Sequence, residues 1–200
     1  MGLRIISGRL RGRKIQTPPG LHTRPTADRL RESIFNILGE RVENACVLDL
    51  YAGSGALGIE ALSRGARFAV FIDNDKKALD IIGSNIRSCA LEGRSTSILW
   101  DIRRNLKCIQ AIPEDFDMVF MDPPYRDGAV FITLKNLVKT QKPAMNAIIV
   151  AEHAAGESIF LCRSVQNAAH FPGLSIMDQR TYGNTTVTFL EYEKRNARKD

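Results

Sequence analysis

An α/β fold, a mostly parallel sheet with helices on both faces, is predicted by three features of this 200-residue chain. From residue 45 onward, short apolar or β-branched runs alternate with helix-length segments. A glycine-rich turn follows the first run, and an acidic residue closes or follows each of the first four. The runs are Cys46 to Leu50, Phe68 to Ile72, Thr96 to Trp100, Met118 to Met121 and Ala147 to Ala151. Alternation of this kind builds a parallel sheet covered on both faces, because each parallel connection needs a crossover, usually a helix. Helical patterns occupy 56–64, 75–92, 102–111 and 128–140. The end differs: Leu174 to Tyr182 and Thr185 to Glu193 flank Gly183-Asn184, a hairpin signal that adds an antiparallel strand and brings the sheet to seven.

Ahead of the sheet, Arg4-Ile5-Ile6-Ser7-Gly8 and Gly12-Arg13-Lys14-Ile15-Gln16 read as two short strands around a glycine-flanked turn. This basic β-hairpin has too few apolar residues for a core of its own, so it docks on the rest or orders on a substrate. Thr17-Pro18-Pro19-Gly20 breaks the pattern. Thr26, with Asp28 in the first turn, then caps a helix to about Leu38, whose Leu30, Ile34, Ile37 and Leu38 line one face. The expected organisation is an appendage over 1–24, a catalytic domain over 25–193 and a charged tail over 194–200.

With 44% hydrophobic residues, the chain can bury the core of one globular domain. No apolar run approaches the roughly 18 residues of a membrane span. Arg4 comes too early for a signal-peptide apolar region, and position 6 is not Ser or Thr, so a cytoplasmic protein without a membrane partner is expected. Cys46, Cys89, Cys108 and Cys162 form no C-x-x-C pair and the three histidines are scattered, which gives no metal signal and fits free thiols. Charge is uneven. Residues 1 to 31 carry a net +7, and the remainder a net −1 against a total of +6. A basic appendage on a near-neutral body points to a polyanion, most often nucleic acid, although a solvated tail has the same composition.

Gly53, Gly55 and Gly58 in Asp49-Leu50-Tyr51-Ala52-Gly53-Ser54-Gly55-Ala56-Leu57-Gly58 satisfy G-x-G-x-x-G, with Asp73 twenty residues beyond Gly53. An NAD-dependent oxidoreductase therefore fits the glycines. The acids favour S-adenosylmethionine instead. Asp49 at a strand end could meet a methionine ammonium, where a pyrophosphate would be repelled. Asp73 could accept the ribose hydroxyls of either cofactor. Asp101, with the Ile102 backbone, could hold an adenine amino group. Ligands bind at the carboxyl ends of strands in open α/β sheets, where all of these lie, although each acid could instead cap a helix.

Asp122-Pro123-Pro124-Tyr125 closes the fourth run. Two prolines stiffen this loop and remove its backbone donors. The Asp122 carboxylate and the Pro123 carbonyl could accept from an exocyclic NH2, while Tyr125 offers a stacking face. A simple turn has the same composition.

Asp-x-Tyr-x-Gly-x-Gly together with Asp-Pro-Pro-Tyr resembles the class I, Rossmann-like S-adenosylmethionine-dependent methyltransferases that act on exocyclic amines of nucleobases. Ser7-Gly8-Arg9-Leu10-Arg11-Gly12-Arg13-Lys14 and Thr23-Arg24-Pro25-Thr26-Ala27-Asp28-Arg29-Leu30-Arg31 narrow the resemblance to the bacterial RsmD family. That resemblance implies methylation of guanine N2 in 16S ribosomal RNA, free or in an assembling small subunit, by a monomer, with S-adenosylhomocysteine as product. It implies Asp122, Pro123, Pro124 and Tyr125 as catalytic residues. It also implies Asp49, Tyr51, Gly53, Ser54, Gly55, Asp73, Asn74, Asp101 and Ile102 as cofactor contacts. Arg9, Arg11, Arg13, Lys14, Arg24 and Arg29 would meet RNA. A DNA adenine-N6 methyltransferase, an oxidoreductase and a catalytically silent RNA-binding module are the competing readings.

Overall fold

Seven strands and four α-helices are present among the described residues of the computed structural model, namely 3–18, 25–124, 128–157, 159, 171 and 173–193, with backbone alone at 25–27. The helices are α1 (Pro25–Leu38), α2 (Ala56–Ser63), α3 (Lys76–Cys89) and α4 (Ala129–Thr140). The strands are β1 (Cys46–Leu50), β2 (Phe68–Asp73), β3 (Ser95–Leu99), β4 (Phe116–Met121), β5 (Pro143–Ala154), β6 (Leu174–Tyr182) and β7 (Thr185–Tyr192). They form one sheet in the order β3-β2-β1-β4-β5-β7-β6, the Rossmann-like, mostly parallel arrangement that the sequence predicts. The β1–β2, β2–β3 and β4–β5 pairs are parallel, whereas β7 runs against both β5 and β6. The chain divides into two compact units, residues 1–100 and 101–200.

In the first unit, every residue of β1 is buried, as a parallel strand covered on both faces requires, Asp49 included. Phe71, Leu48, Ile59 and Leu62 are fully buried, each side chain contributing roughly 1.5–3 kcal/mol by leaving water. Helix α3 buries Ala78, Ile82, Asn85, Ile86 and Cys89, a stripe at helical spacing. Asp75 caps it, its carboxylate accepting from Lys77 N–H at 2.9 Å. Helix α1 begins at Pro25, one residue before the expected Thr26 cap. Proline suits that first position because the first-turn N–H has no intrahelical partner.

The N-terminal appendage departs from the predicted hairpin. Its two arms meet in a single antiparallel bridge, Arg4 with Lys14, rather than in two strands. Beside the bridge, Ile5 N–H donates to the Arg13 carbonyl at 3.0 Å, Gly12 N–H to the Ile5 carbonyl at 2.9 Å and Ile15 N–H to the Leu3 carbonyl at 3.0 Å, while other backbone donors turn to α2. Ile6 and Ser7 N–H donate to the Glu60 carboxylate at 2.8 and 2.9 Å, Arg9 N–H to the Ser63 carbonyl at 2.8 Å, and Leu10 N–H to Ser63 Oγ at 3.0 Å. Leu3, Ile5 and Ile15 are buried. Self-pairing and docking together order this segment.

The second unit buries Phe116, Met118, Val119, Phe120 and Met121 along β4, and Val130, Phe131, Leu134 and Leu137 along α4. Phe131 meets the Phe171 ring edge-on at 5.2 Å between centroids. On β5 the buried His153 hydrogen-bonds Thr188 Oγ1 at 2.8 Å, and burial lowers its pKa. The helix expected over 102–111 is a turn followed by a 3-10 segment at Lys107–Ala111. Asp101 accepts from Arg103 N–H at 3.1 Å and Asn105 from Lys107 N–H at 3.0 Å. Such local side-chain bonds compete with helical ones.

Candidate active site

The turn between β1 and α2 is a succession of left-handed residues: Tyr51 (φ 58°), Gly53 (φ 56°) and Gly55 (φ 76°). A non-glycine residue in this conformation costs on the order of 1–3 kcal/mol and clusters at functional sites. A Cβ at Gly53 would meet only the Tyr51 carbonyl at 3.9 Å, so this backbone presents an open face. Gly58 is a glycine for the opposite reason. A Cβ there would lie 2.3 Å from the Phe71 ring and 3.1 Å from Asp49 Oδ2. The third glycine of the fingerprint thus lets α2 press against β2.

The predicted acids of this unit grip the same loop. Asp49, only 3% exposed, accepts from Gly58 N–H at 2.9 Å and so supports the first turn of α2. Helix support, one of its two sequence-based roles, is therefore present. Asp73 accepts from Gly53 N–H at 2.9 Å through one oxygen and from Asp75 N–H at 2.9 Å through the other. A carboxylate has about four lone-pair sites, so two backbone donors leave acceptor capacity for a ribose diol. Asn74 is exposed beside it, and the Ser54 carbonyl accepts from Asn85 Nδ2 at 2.9 Å.

In the second unit, Asp101 is exposed two residues beyond β3, and Ile102 is buried with its carbonyl accepting from Asn136 Nδ2 at 3.0 Å. Asp122 follows β4 directly, between buried Met121 and buried Pro123. Its residue surface is exposed, yet protein surrounds the carboxyl closely enough that burial pushes its pKa up from 3.8 to about 6. The two observations describe one geometry, a group that water reaches from one side and protein crowds from the others. Desolvation is the cause of the shift. Pro124 is exposed. Tyr125 lies outside the described residues.

Among the expected RNA contacts, Arg9, Arg11, Arg13, Lys14 and Arg29 are exposed, and Arg13 also donates to the Ser88 carbonyl at 2.6 Å. Arg24 lies outside the described residues. Cys46 and Cys89 are free and buried, and Cys108 is free and half-buried, its thiol pushed up to about 11 by burial. Cys162 and the 194–200 tail lie outside the described residues. No group of metal-ligating side chains and no membrane-crossing helix occurs among the described residues.

Sequence reasoning missed Glu60, Ser63 and Asn85. Glu60, 1% exposed, accepts from Ile6, Ser7 and Arg64 Nε (2.8 Å) and faces Arg31 Nε at 3.7 Å. Asn85, fully buried, accepts from Gln16 N–H at 2.7 Å and donates to the Gln16 and Ser54 carbonyls. One amide therefore joins the appendage to the glycine loop. The signal was available: polar residues at apolar helical positions, Glu60 within Gly58-Ile59-Glu60-Ala61-Leu62 and Asn85 one position before Ile86.

The family profile described as "Conserved hypothetical protein 95" matches residues 3–191. YlbH of Bacillus subtilis (strain 168), a "Putative rRNA methyltransferase", is 36% identical over 193 residues, covering 96% of this chain and 100% of that protein. "Ribosomal RNA small subunit methyltransferase D" of Escherichia coli (strain K12) is 36% identical over 150 residues, 75% of this chain and 74% of its own. The solved structure of yhhF from Escherichia coli matches with a TM-score of 0.81 at 30% identity, over 96% of this chain and 99% of that one.

Proposed function

The chain belongs to the family described as Conserved hypothetical protein 95, the RsmD methyltransferases, and we propose that it transfers a methyl group to N2 of a guanine in 16S ribosomal RNA. Its methyl donor is S-adenosylmethionine. The residues after β1 and β2 fit that group: an open glycine backbone, Asp49 for a cationic ammonium, and Asp73 with lone pairs to spare for a diol. The bound cofactor supplies an electrophilic sulfonium methyl; everything else is positioning.

The observation that carries the assignment is Asp122, a carboxylate directly after β4 whose pKa burial pushes up to about 6. A group in that state gains most from an incoming hydrogen-bond donor. An exocyclic amine is such a donor, and its nitrogen is a poor nucleophile because its lone pair is delocalised into the purine. Accepting a hydrogen bond from one N–H at Asp122 and from the other at the Pro123 carbonyl would polarise the nitrogen and favour a pyramidal geometry. As the N–CH3 bond forms and the S–CH3 bond breaks, releasing S-adenosylhomocysteine, the one surplus proton on N2 is lost to Asp122 or water. Tyr125 would stack on the base and fix the angle of approach. This is orientation and electrostatic stabilisation, with no covalent intermediate on the protein. Methyl transfer requires the glycine loop and the Asp122 loop to serve one reaction centre. A guanine must leave any helix to reach it.

Membership of a methyltransferase family sets the oxidoreductase aside. The adenine amine of DNA fits the same acceptors; the relatives named for ribosomal RNA favour RNA as the polymer, and guanine rests on the resemblance of the sequence motifs. Incubation with methyl-labelled S-adenosylmethionine and unmethylated 16S RNA, small subunits or DNA tests this, with nucleoside analysis of the product. N2-methylguanosine in RNA is the expected result. Label in DNA adenine, or in neither polymer, overturns it.

A further inference from the structure

We propose that an arginine-lined depression at the amino ends of β1, β2 and β3 is a second RNA-binding site, holding backbone phosphates of the same substrate far from the methyl-transfer loop. The inference rests on the RNA substrate proposed above. The depression has a volume of about 810 Å³, and its lining includes Arg9, Arg64, Arg67 and Arg94 against a single carboxylate, Glu43. Its lining carries a net of three positive charges.

Three segments distant in sequence supply these arginines. Arg67 precedes β2 and Arg94 precedes β3, while Arg64 ends α2 and Arg9 comes from the appendage. Arg94 is anchored through two of its N–H groups, on the Ala66 and Arg67 carbonyls. A guanidinium has five such donors, so three remain for a ligand. Arg64 is partly neutralised by Glu60 at 2.8 Å and stacks over the Phe35 ring at 4.7 Å, which makes it a wall of the site.

Arg9 is held there by construction. Gly8, with φ +78°, packs so closely that a Cβ would lie 2.0 Å from the Ser63 carbonyl oxygen, and Arg9 N–H donates to that same oxygen. The appendage thus delivers a cation beside Arg94, close enough that Arg9 and burial both lower the Arg94 pKa. Bringing guanidinium groups together is unfavourable until an anion lies between them. A depression this wide exceeds one small ion and suits successive phosphates of a chain. At about 3.3 Å per residue, strands of five or six residues separate it from Asp49 and Asp73 by roughly 17–20 Å. An extended RNA is needed to reach both.

The test compares full-length wild type with Arg9→Gln/Arg67→Gln and with Glu43→Gln, measuring affinity for 16S RNA across a salt series. S-adenosylhomocysteine calorimetry serves as the folding control. Loss of two phosphate contacts makes the slope of log affinity against log salt shallower by about 1.4–1.8. Glu43→Gln, which removes only the opposing carboxylate, gives tighter binding and a steeper slope. Wild-type slopes in both variants, with strong RNA binding retained, overturn the second site and leave the proposed function standing. The same holds if inorganic phosphate titrates the depression while the RNA slope stays unchanged, which marks a free-anion site. Wild type that binds no ribosomal RNA overturns the substrate assignment itself.

Discussion

The two ends of β1 and β2 carry opposite charge. Their carboxyl ends present Asp49 and Asp73, whose oxygens accept from glycine-loop N–H groups. Their amino ends face Arg64 and Arg67, with Arg94 before β3 and Arg9 brought across by the appendage. One end suits a cationic cofactor, the other a polyanion. A short parallel strand thereby separates two ligands of opposite charge without a second domain. Glu60 is the exception that makes the contrast possible: a buried acid near the arginine end that neutralises Arg64 and Arg31 and holds the appendage by its backbone.

Removing that exception has the largest expected effect. Glu60→Ala leaves the buried Arg31, whose Nε is unbonded, with Asp28 as its remaining opposing charge, and frees the Ile6 and Ser7 amides. A loss of about 3–5 kcal/mol is expected, read by denaturant unfolding. A loss below 1 kcal/mol, on the order of a surface ion pair, shows that Glu60 does not organise this end. At the acid end, Gly58→Ala forces a Cβ into the Phe71 ring, costing about 1–3 kcal/mol and weakening S-adenosylhomocysteine binding. Unaltered stability shows that α2 can shift freely. Asp73→Asn keeps the size but halves the acceptor capacity. Cofactor affinity falls about tenfold, or 1.4 kcal/mol, while the salt slope of RNA binding is unchanged. A changed slope breaks the division between the two ends.

The smallest effect is that of pH. The folded Asp122 pKa of about 6 lies above its ordinary 3.8, so the native state takes up this proton first as pH falls. For this group, stability therefore increases as pH drops through 6 and levels off below 3.8, while activity, which needs the carboxylate, declines. Between pH 7.5 and 6 the rate roughly halves. Asp122→Asn removes this contribution and raises the melting temperature at neutral pH. A melting temperature that does not rise contradicts the desolvation of this carboxylate.

The acid end was legible in the sequence because its parts are local. The fingerprint glycines, Asp49 and Asp73 lie within 25 residues, and a glycine with φ > 0 or in close contact leaves a mark at its own position. The strands were legible for the same reason, apolar runs of fixed length between helical stretches, as was the Gly183-Asn184 hairpin. The arginine end was not. Arg64 and Arg67 share one short turn, but Arg94 is 27 residues beyond Arg67 and Arg9 is 55 residues before Arg64, and only the parallel pairing of β2 and β3 and the docked appendage bring them together. The pairing of the appendage's two arms was legible, but its docking on Glu60 and Ser63 was not, because those partners are more than 50 residues away. The 102–111 segment misled differently: Asp101 and Asn105 bond their own backbone and end a helix that the apolar spacing favoured.

The central claim, that the carboxylate after β4 grips the amine being methylated, is tested most directly by the turnover of Asp122→Ala at saturating cofactor and RNA. Turnover is expected to fall about a hundredfold or more, as when a transition-state hydrogen-bond partner is lost, while S-adenosylhomocysteine affinity stays at the wild-type value. Turnover within about tenfold of wild type, a loss under roughly 1.4 kcal/mol, contradicts it.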